Sequence, residues 1–539
     1  MYKRALILYC FIMLLFCLVI FRIDFISSRE NLYEAASSQQ SYKVKIGDVR
    51  GTIYDCRNIP LVNQKKELIA SAVPCLESLK KLTPIVSESQ KEELFKKCSG
   101  NHPFTIKIKE RTESPYIKIF EVPVRYLPVT LAAHIVGYLS GEKEGVCGLE
   151  KSFDSYLSDK KQEIFVKYNV DATGKILPGK RNITQDKSYF NSKGIGLNID
   201  SRIEAIAEEV ANKYINRGSV IISEIPDCRI RACASFPCFS CNDVSEYLND
   251  ENSPLLNRSF CDFNVGSVFK LVTAAAALES GISENFIYDC EGHNEVDDVL
   301  FKCFNAKKHG EVNMEEAMAY SCNGYFIELI KKMPKNALLS MTKKFRLGEP
   351  VKFAPKMETS SGTLPSETSL ENMKNLANFS FGQGKLLANP FQILGIVNTI
   401  VSDGVYTNPK LIKCLFNEAM KPTAFNEIKD EKEVVISKIT AEKLKSHMKA
   451  SIDYGTGKKG KPEYISAAAK TSTAQTGIIE NGKKIEQSWF AGFFPYEKPK
   501  YVVVVLSEAG SGGGESCGPV FKEIADRMVK ELPELFMEN

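Results

Sequence analysis

NVGSVFKLVTAAAALE, Asn264 to Glu279, sets a serine and a lysine one helical turn apart at the mouth of an apolar, alanine-rich run. After Lys270 no charge follows until Glu279. A serine at a helix start is ordinary, because its oxygen caps free backbone N–H groups. A lysine entering a run that reads as buried is not ordinary, since burying an ammonium costs free energy unless it is paired or loses its proton. Spaced three apart on a helix, Ser267 and Lys270 share one face. A neutral Lys270 in a poorly solvated cleft is fit to take the Ser267 proton, and the N–H groups of the helix start favour developing negative charge there. Taken alone, the pattern is equally that of a helix cap followed by a snorkelling lysine.

Two other short stretches bear on that choice. In AYSCNGYFIEL, Ser321 and Asn323 lie two apart and face one cleft if the segment is a loop. A hydroxyl there relays a proton and an amide holds a substrate amide. In AAAKTSTAQTG, small side chains suggest a strand lying close to a neighbour, with Lys470 placing positive charge at one end of a cleft. Such a strand also offers backbone N–H groups to a peptide. Each has a plain structural counterpart, a cap before an amphipathic helix and a charged edge strand.

The rest of the chain frames these elements. With 539 residues the chain is too long for one compact core, so two or three domains are expected. A net charge of +4, with no long basic run or zinc-finger spacing, argues against a polyanionic partner. Ala5 to Phe21 is free of charge, about 25 Å of helix, and reads as an uncleaved membrane anchor over 5–22 behind a short tail at 1–4. Lys3 and Arg4 favour an internal N-terminus and an external remainder. The chain holds 16 cysteines, two of them in the apolar run. Cys228, Cys233, Cys238 and Cys241 are the tightest group, but one CxxC step with irregular spacing is a weak metal signal, and they read as unpaired or structural thiols. No metal and no cofactor is expected.

Short alternating segments, VKIGDVRGTIYDC, TIKIKE and YIKIFEVPVRYLP, read as strands between residues 30 and 190, with KKELIASAVPCLESLKKL and SESQKEELFKKC as helices. From Gly196 the texture changes. SRIEAIAEEVANKYI reads as an amphipathic helix capped by Ser201, and GSVIISEI as a strand. KTSTAQTG, SWFAGFFPY and YVVVVLSEA read as three strands, the first two joined by a hairpin turn in ENGK, before a closing helix PVFKEIADRMVKEL. The class is α+β, with helices packed on an antiparallel sheet.

Taken in order, Ser267-Val-Phe-Lys270, Ser321-Cys322-Asn323 and Lys470-Thr471-Ser472 resemble the three active-site motifs of penicillin-binding proteins and serine β-lactamases. RGTIYDCRNIPL from Arg50, GLEKSFDSYL from Gly148, His309-Gly310, FGQGKLLANPFQI from Phe381 and DYGTGKKG from Asp453 resemble further segments of the class B penicillin-binding proteins. The resemblance implies a pedestal, or dimerisation, domain over 40–190 and a penicillin-binding transpeptidase domain over 196–535. It implies neither a glycosyltransferase domain nor C-terminal PASTA modules. It implies acyl transfer between peptidoglycan stem peptides: Ser267 as nucleophile, Lys270 as its base, Ser321 as proton relay, and Asn323, Lys470, Thr471 and Thr473 as substrate-binding residues. The backbone N–H groups of Ser267 and Thr473 would form the oxyanion hole. Stem peptides, β-lactams and a polytopic glycosyltransferase are the implied partners, with no nucleic acid. A D,D-carboxypeptidase and a weakly catalytic membrane-anchored β-lactam sensor or scaffold remain alternatives. Two departures stand out: Ser472 replaces the usual glycine of the third motif, and Cys56 precedes Arg57 where relatives often run Asp-Arg.

Overall fold

The computed structural model describes residues 2–27, 41–158, 163–171, 176, 183–185, 193–428, 431–480 and 483–537. Tyr2–Ser27 is one continuous helix with no buried residue, long and apolar enough to cross a membrane. The chain divides into two compact units that interleave in sequence. One holds 1–50, 63–125 and 158–192, and the other holds 51–62, 126–157 and 193–539.

In the first unit, Ser41–Asp48 pairs antiparallel with Glu163–Asn169 over a core that includes Val44, Ile164, Val166 and Tyr168. A second sheet centres on Lys65–Ala72, flanked on both sides by Phe104–Ile108 and Ile117–Val124. This corrects the helical reading of KKELIASA. Both edges of that segment are hydrogen-bonded by neighbours, and pairing of this kind overrides a weak helical preference. The helix begins only at Leu76, with Cys75 as its cap.

The second unit is built on a five-stranded antiparallel sheet. Its strands are β1 (Gly218–Glu224), β2 (Arg229–Phe236), β3 (Ala468–Glu480), β4 (Lys483–Phe494) and β5 (Tyr501–Ser507), in the order β2-β1-β5-β4-β3. The Asn481-Gly482 turn of the expected hairpin lies outside the described residues, but Glu480 pairs with Lys483 on either side of it. Helices of this unit include α1 (Ser201–Tyr214), α2 (Lys270–Glu279), α3 (Met314–Tyr320), α4 (Asn323–Lys332), α5 (Pro390–Val401) and α6 (Gly518–Glu531). Strand alternation explains why YVVVVL carries no polar residue. Val503 and Val505 pack with α1 and α6 on one face, while Val502, Val504 and Leu506 pack with α2 and α5 on the other. The sheet is therefore sandwiched, and both faces of its strands are apolar. Asp200, not Ser201, caps α1, accepting a hydrogen bond from the Arg202 N–H at 3.0 Å.

Two of the resemblance-bearing segments from the 40–190 range pack within this second unit. Thr52–Tyr54 runs parallel to Gly194–Leu197. Buried Asp55 accepts from the backbone N–H groups of Arg57 and Ile59 and from the Ser201 hydroxyl, which ties the segment to the start of α1. Glu150 of GLEKSF is likewise buried and accepts from the Tyr126 hydroxyl at 2.8 Å.

Candidate active site

Ser267 sits in a short 3-10 turn, Gly266–Phe269, that runs directly into α2. Gly266 adopts φ +63°, a conformation in which a side chain is disfavoured, and its N–H donates to the Gly382 carbonyl at 2.8 Å. That carbonyl belongs to the FGQG segment, so the segment braces the turn from behind. Ala274 to Ala277 are all buried, and their small side chains let α2 lie at the centre of the unit with neighbours on every side.

The three motifs meet at one hydroxyl. Ser321 Oγ accepts from Lys270 Nζ at 3.1 Å and from Lys470 Nζ at 3.2 Å. Lys270 also donates to the Ser321 carbonyl and to Asn323 Oδ1, each at 2.7 Å. Among the described residues no hydrogen bond joins the Ser267 hydroxyl to Lys270; the half-buried serine lies one turn before the lysine on the same face. Both lysines are fully buried. Burial lowers Lys270 to about 8, against slight opposition from Cys322, Cys303 and Cys290. Burial, and then the neighbouring Lys270 charge, push Lys470 well below the ordinary amine range. Water that would solvate two ammonium groups is excluded, so this site favours releasing a proton.

Local sequence sets this geometry. Ser321 ends α3 in the left-handed conformation, φ +60° and ψ +42°, and Cys322 at once caps α4 by accepting from the Tyr325 N–H. The break between two helices turns the Ser321 carbonyl and hydroxyl toward Lys270. Asn323 is fixed by donating through Nδ2 to the Lys302 carbonyl at 2.9 Å.

Strand β3 is the edge of the sheet and brings up the third motif. Alternation points Lys470 and Ser472 inward. Thr471 Oγ1 instead lies 2.6 Å from Thr456 Oγ1, in the GTG segment, and Thr473 Oγ1 accepts from the Gly513 N–H of the glycine-rich loop. Ser472 is 2% exposed, and its hydroxyl donates to the Val265 carbonyl at 2.7 Å. A Cβ on Gly266 would collide with Ser472 Oγ, so the serine occupies space that this glycine leaves open. The structure thus brings together Lys270, Ser321, Asn323 and Lys470 by direct hydrogen bonds, places Ser267 one turn away, and sets Thr471 and Thr473 on the opposite face of β3.

Sequence reading missed a second cluster. Cys290, Cys303, His309 and Cys322 bring three Sγ atoms and one imidazole nitrogen within 4.8 Å of one another. Cys228, Cys233, Cys238 and Cys241, read from the sequence as unpaired or structural thiols, are free cysteines; Cys238 is exposed, the other three are buried, and burial raises all four thiols. The available signal for the real cluster was Cys322, lying inside a motif, together with His309.

Comparison with known proteins adds three findings. Residues 227–526, more than half of the chain, match the family described as penicillin binding protein transpeptidase domain. Stage V sporulation protein D of Bacillus subtilis is 27% identical over 569 residues, spanning 99% of this chain and 86% of that protein. Peptidoglycan D,D-transpeptidase FtsI of Escherichia coli is 26% identical over 444 residues, spanning 78% of this chain and 70% of its own. In fold, the chain is similar to penicillin binding protein 3 of Mycobacterium tuberculosis in complex with aztreonam, with TM-score 0.66 at 21% identity over 91% of this chain and 97% of that one.

Proposed function

The chain belongs to the penicillin-binding protein transpeptidase family, and from that premise we propose that it is a class B peptidoglycan D,D-transpeptidase with Ser267 as its nucleophile. The observation that carries the assignment is the single Ser321 hydroxyl held between Lys270 and Lys470, one turn from Ser267. Neutral Lys270 takes the Ser267 proton, and Oγ attacks the carbonyl of the penultimate D-alanine of a D-Ala-D-Ala stem peptide. The N–H groups of Ser267 and Thr473 hold the oxyanion of the tetrahedral intermediate. Its C–N bond breaks as a proton passes through Lys270 and Ser321 to the departing D-alanine. Asn323 binds a donor amide, and Lys470 with Thr471 holds the terminal carboxylate. The amine of a second stem peptide then attacks the acyl-serine, forming the cross-link and returning the proton and the free hydroxyl to Ser267. β-Lactams acylate the same serine.

The apolar helix Tyr2–Ser27 supports a single membrane anchor. Lys3 and Arg4 favour a cytoplasmic N-terminus, which leaves the catalytic unit outside. Tethering confines the enzyme to a layer beside nascent wall and raises its effective concentration there. A polytopic glycosyltransferase that polymerises the glycan strands is the partner this arrangement suits. The test is covalent labelling of the purified full chain by a fluorescent penicillin, alongside a stem-peptide donor offered with a D-amino acid acceptor. Labelling lost in Ser267→Ala and an amide product in the wild type are expected. Label retained by Ser267→Ala overturns the nucleophile assignment, and free acid as the only product overturns transfer in favour of hydrolysis.

A further inference from the structure

Cys290 ends the short strand Tyr288–Cys290, which pairs with Gly310–Val312. Cys303 follows the hairpin His293–Val296 with Val299–Lys302, and His309 immediately precedes the Gly310 strand. These pieces bring three ligand-type side chains onto Cys322, the residue between Ser321 and Asn323. The separations are specific. Cys290 Sγ lies 3.7 Å from Cys303 Sγ and 3.4 Å from His309 Nδ1, and Cys303 Sγ lies 3.9 Å from Cys322 Sγ. A tetrahedral zinc with Zn–S near 2.3 Å and Zn–N near 2.0–2.1 Å has S···S edges of about 3.8 Å and S···N edges of about 3.5 Å. These three of the six edges match both, and all four ligand atoms lie within 4.8 Å of one another. The S···S edges are also far from the ~2.05 Å of a disulfide, so these thiols are not cross-linked.

We propose that Cys290, Cys303, His309 and Cys322 form a closed, tetrahedral zinc(II) site that holds the Ser321–Asn323 turn in place. Three sulfurs and one imidazole in tetrahedral array are the donor set of zinc, and four protein ligands leave no open position, as in structural sites. All three cysteines are buried. The surroundings supply supporting contacts of the kind that orient metal ligands. The Tyr325 backbone N–H donates to Cys322 Sγ at 3.4 Å, the His309 backbone N–H donates to the Cys290 carbonyl at 3.1 Å, and the His309 ring stacks on Tyr320. The charge of the site is also complementary to one of the neighbouring lysines. Zinc with three thiolates and a neutral imidazole carries one net negative charge, and it sits beside two buried lysines that hydrogen-bond no carboxylate among the described residues. The ion would add to the bonds that already join the hairpin to α4, Asn323 Nδ2 to the Lys302 carbonyl and Asn294 Nδ2 to Glu328, and would hold Cys322 between Ser321 and Asn323.

Elemental analysis of the full chain, purified in detergent and reducing buffer, tests this directly and does not depend on acylation. About one zinc per chain is expected. Exchange for cobalt(II) should yield thiolate-to-cobalt charge transfer and the intense visible bands of a tetrahedral ion, a readout that needs no folded variant. Cys290→Ser and Cys303→Ser, both outside the proposed catalytic machinery, should each retain zinc at least about tenfold less well against a competing chelator. Chelation should also slow penicillin labelling, with zinc restoring it. A chain without zinc and without cobalt bands, zinc retention unchanged in both variants, or a Cys290–Cys303 disulfide in protein alkylated at lysis overturns the site. Labelling indifferent to chelation of a zinc-containing chain overturns the clamp, and failure of the zinc-loaded chain to label at all counts against the transpeptidase reading rather than the metal.

Discussion

Ser472→Gly restores the glycine usual in the third motif, and the structure fixes what it should do. If the serine obstructed the cleft, its removal would speed acylation. Ser472 is instead 2% exposed, and its hydroxyl is spent on the Val265 carbonyl two residues before the nucleophile. Removing a buried hydrogen bond of this type costs about 0.5–1.5 kcal/mol. Placing glycine inside a strand costs roughly another 0.5–1 kcal/mol. The sum is about 1–2.5 kcal/mol of stability lost, which a unit this large reports as a fall of only a few degrees in melting temperature. Acylation should fall or stay within about threefold, since the turn bearing Ser267 loses a strap rather than an obstacle. Second-order acylation rates with a chromogenic β-lactam, measured beside thermal melts, give both quantities. Ser472→Ala separates them by removing the bond while keeping the Cβ, and should carry only the hydrogen-bond share of the stability loss. A tenfold or larger gain in acylation by Ser472→Gly, about 1.4 kcal/mol of transition-state stabilisation, with melting unchanged, would refute this reasoning.

Because Lys270 is lowered to about 8 and is needed as a free amine, the acylation rate should rise with pH and level off above an inflection near 8; a pH–rate profile flat from 6 to 10 removes the base role. Gly382→Ala should abolish penicillin labelling or the folded state, because the residue adopts φ +80° and its new Cβ would collide with the Gly266 carbonyl; labelling at the wild-type rate contradicts that bracing. Glu208 is pushed up to about 7 by burial, beside Glu204, which burial also raises. An unfolded glutamate releases its proton near 4.5 whereas the folded one keeps it to about 7, so stability should fall as pH rises through that window. Glu208→Gln should flatten that dependence, read as the difference in melting temperature between pH 5 and pH 7.5.

The sequence made the active-site motifs legible because each packs its chemistry into three or four neighbouring residues. Ser267 and Lys270 share a helix face by spacing alone, and YVVVVL announces a strand buried on both sides. What stayed hidden depends on partners far along the chain. KKELIASA is a strand because 104–108 and 117–124 pair with it, which its own composition does not reveal. Ser472 looks like a departure from pattern until the Val265 carbonyl is seen opposite it. The ligand cluster is hidden most thoroughly, since its spacings of twelve, five and twelve intervening residues contain no CxxC step. Its four members are joined only after one short hairpin, one longer-range strand pair and two helices have formed.

That concealed cluster and the Ser321 turn explain each other. A non-glycine residue held in the left-handed region costs roughly 1–2 kcal/mol, and such strain persists only where the surroundings over-determine it. On one side Lys270 donates to the Ser321 carbonyl, and both lysines donate to its hydroxyl. These bonds by themselves would let the turn relax whenever a lysine loses its proton, and the proposed reaction requires that loss in every cycle. The zinc site holds the next residue, Cys322, by a bond that does not change with the lysines' protonation. With Cys322 held by the ion, Ser321 and Asn323 on either side of it stay in register while the proton moves between Ser267, Lys270 and the leaving group. The cysteine in the middle of the second motif is in that sense the residue that separates positioning from proton transfer.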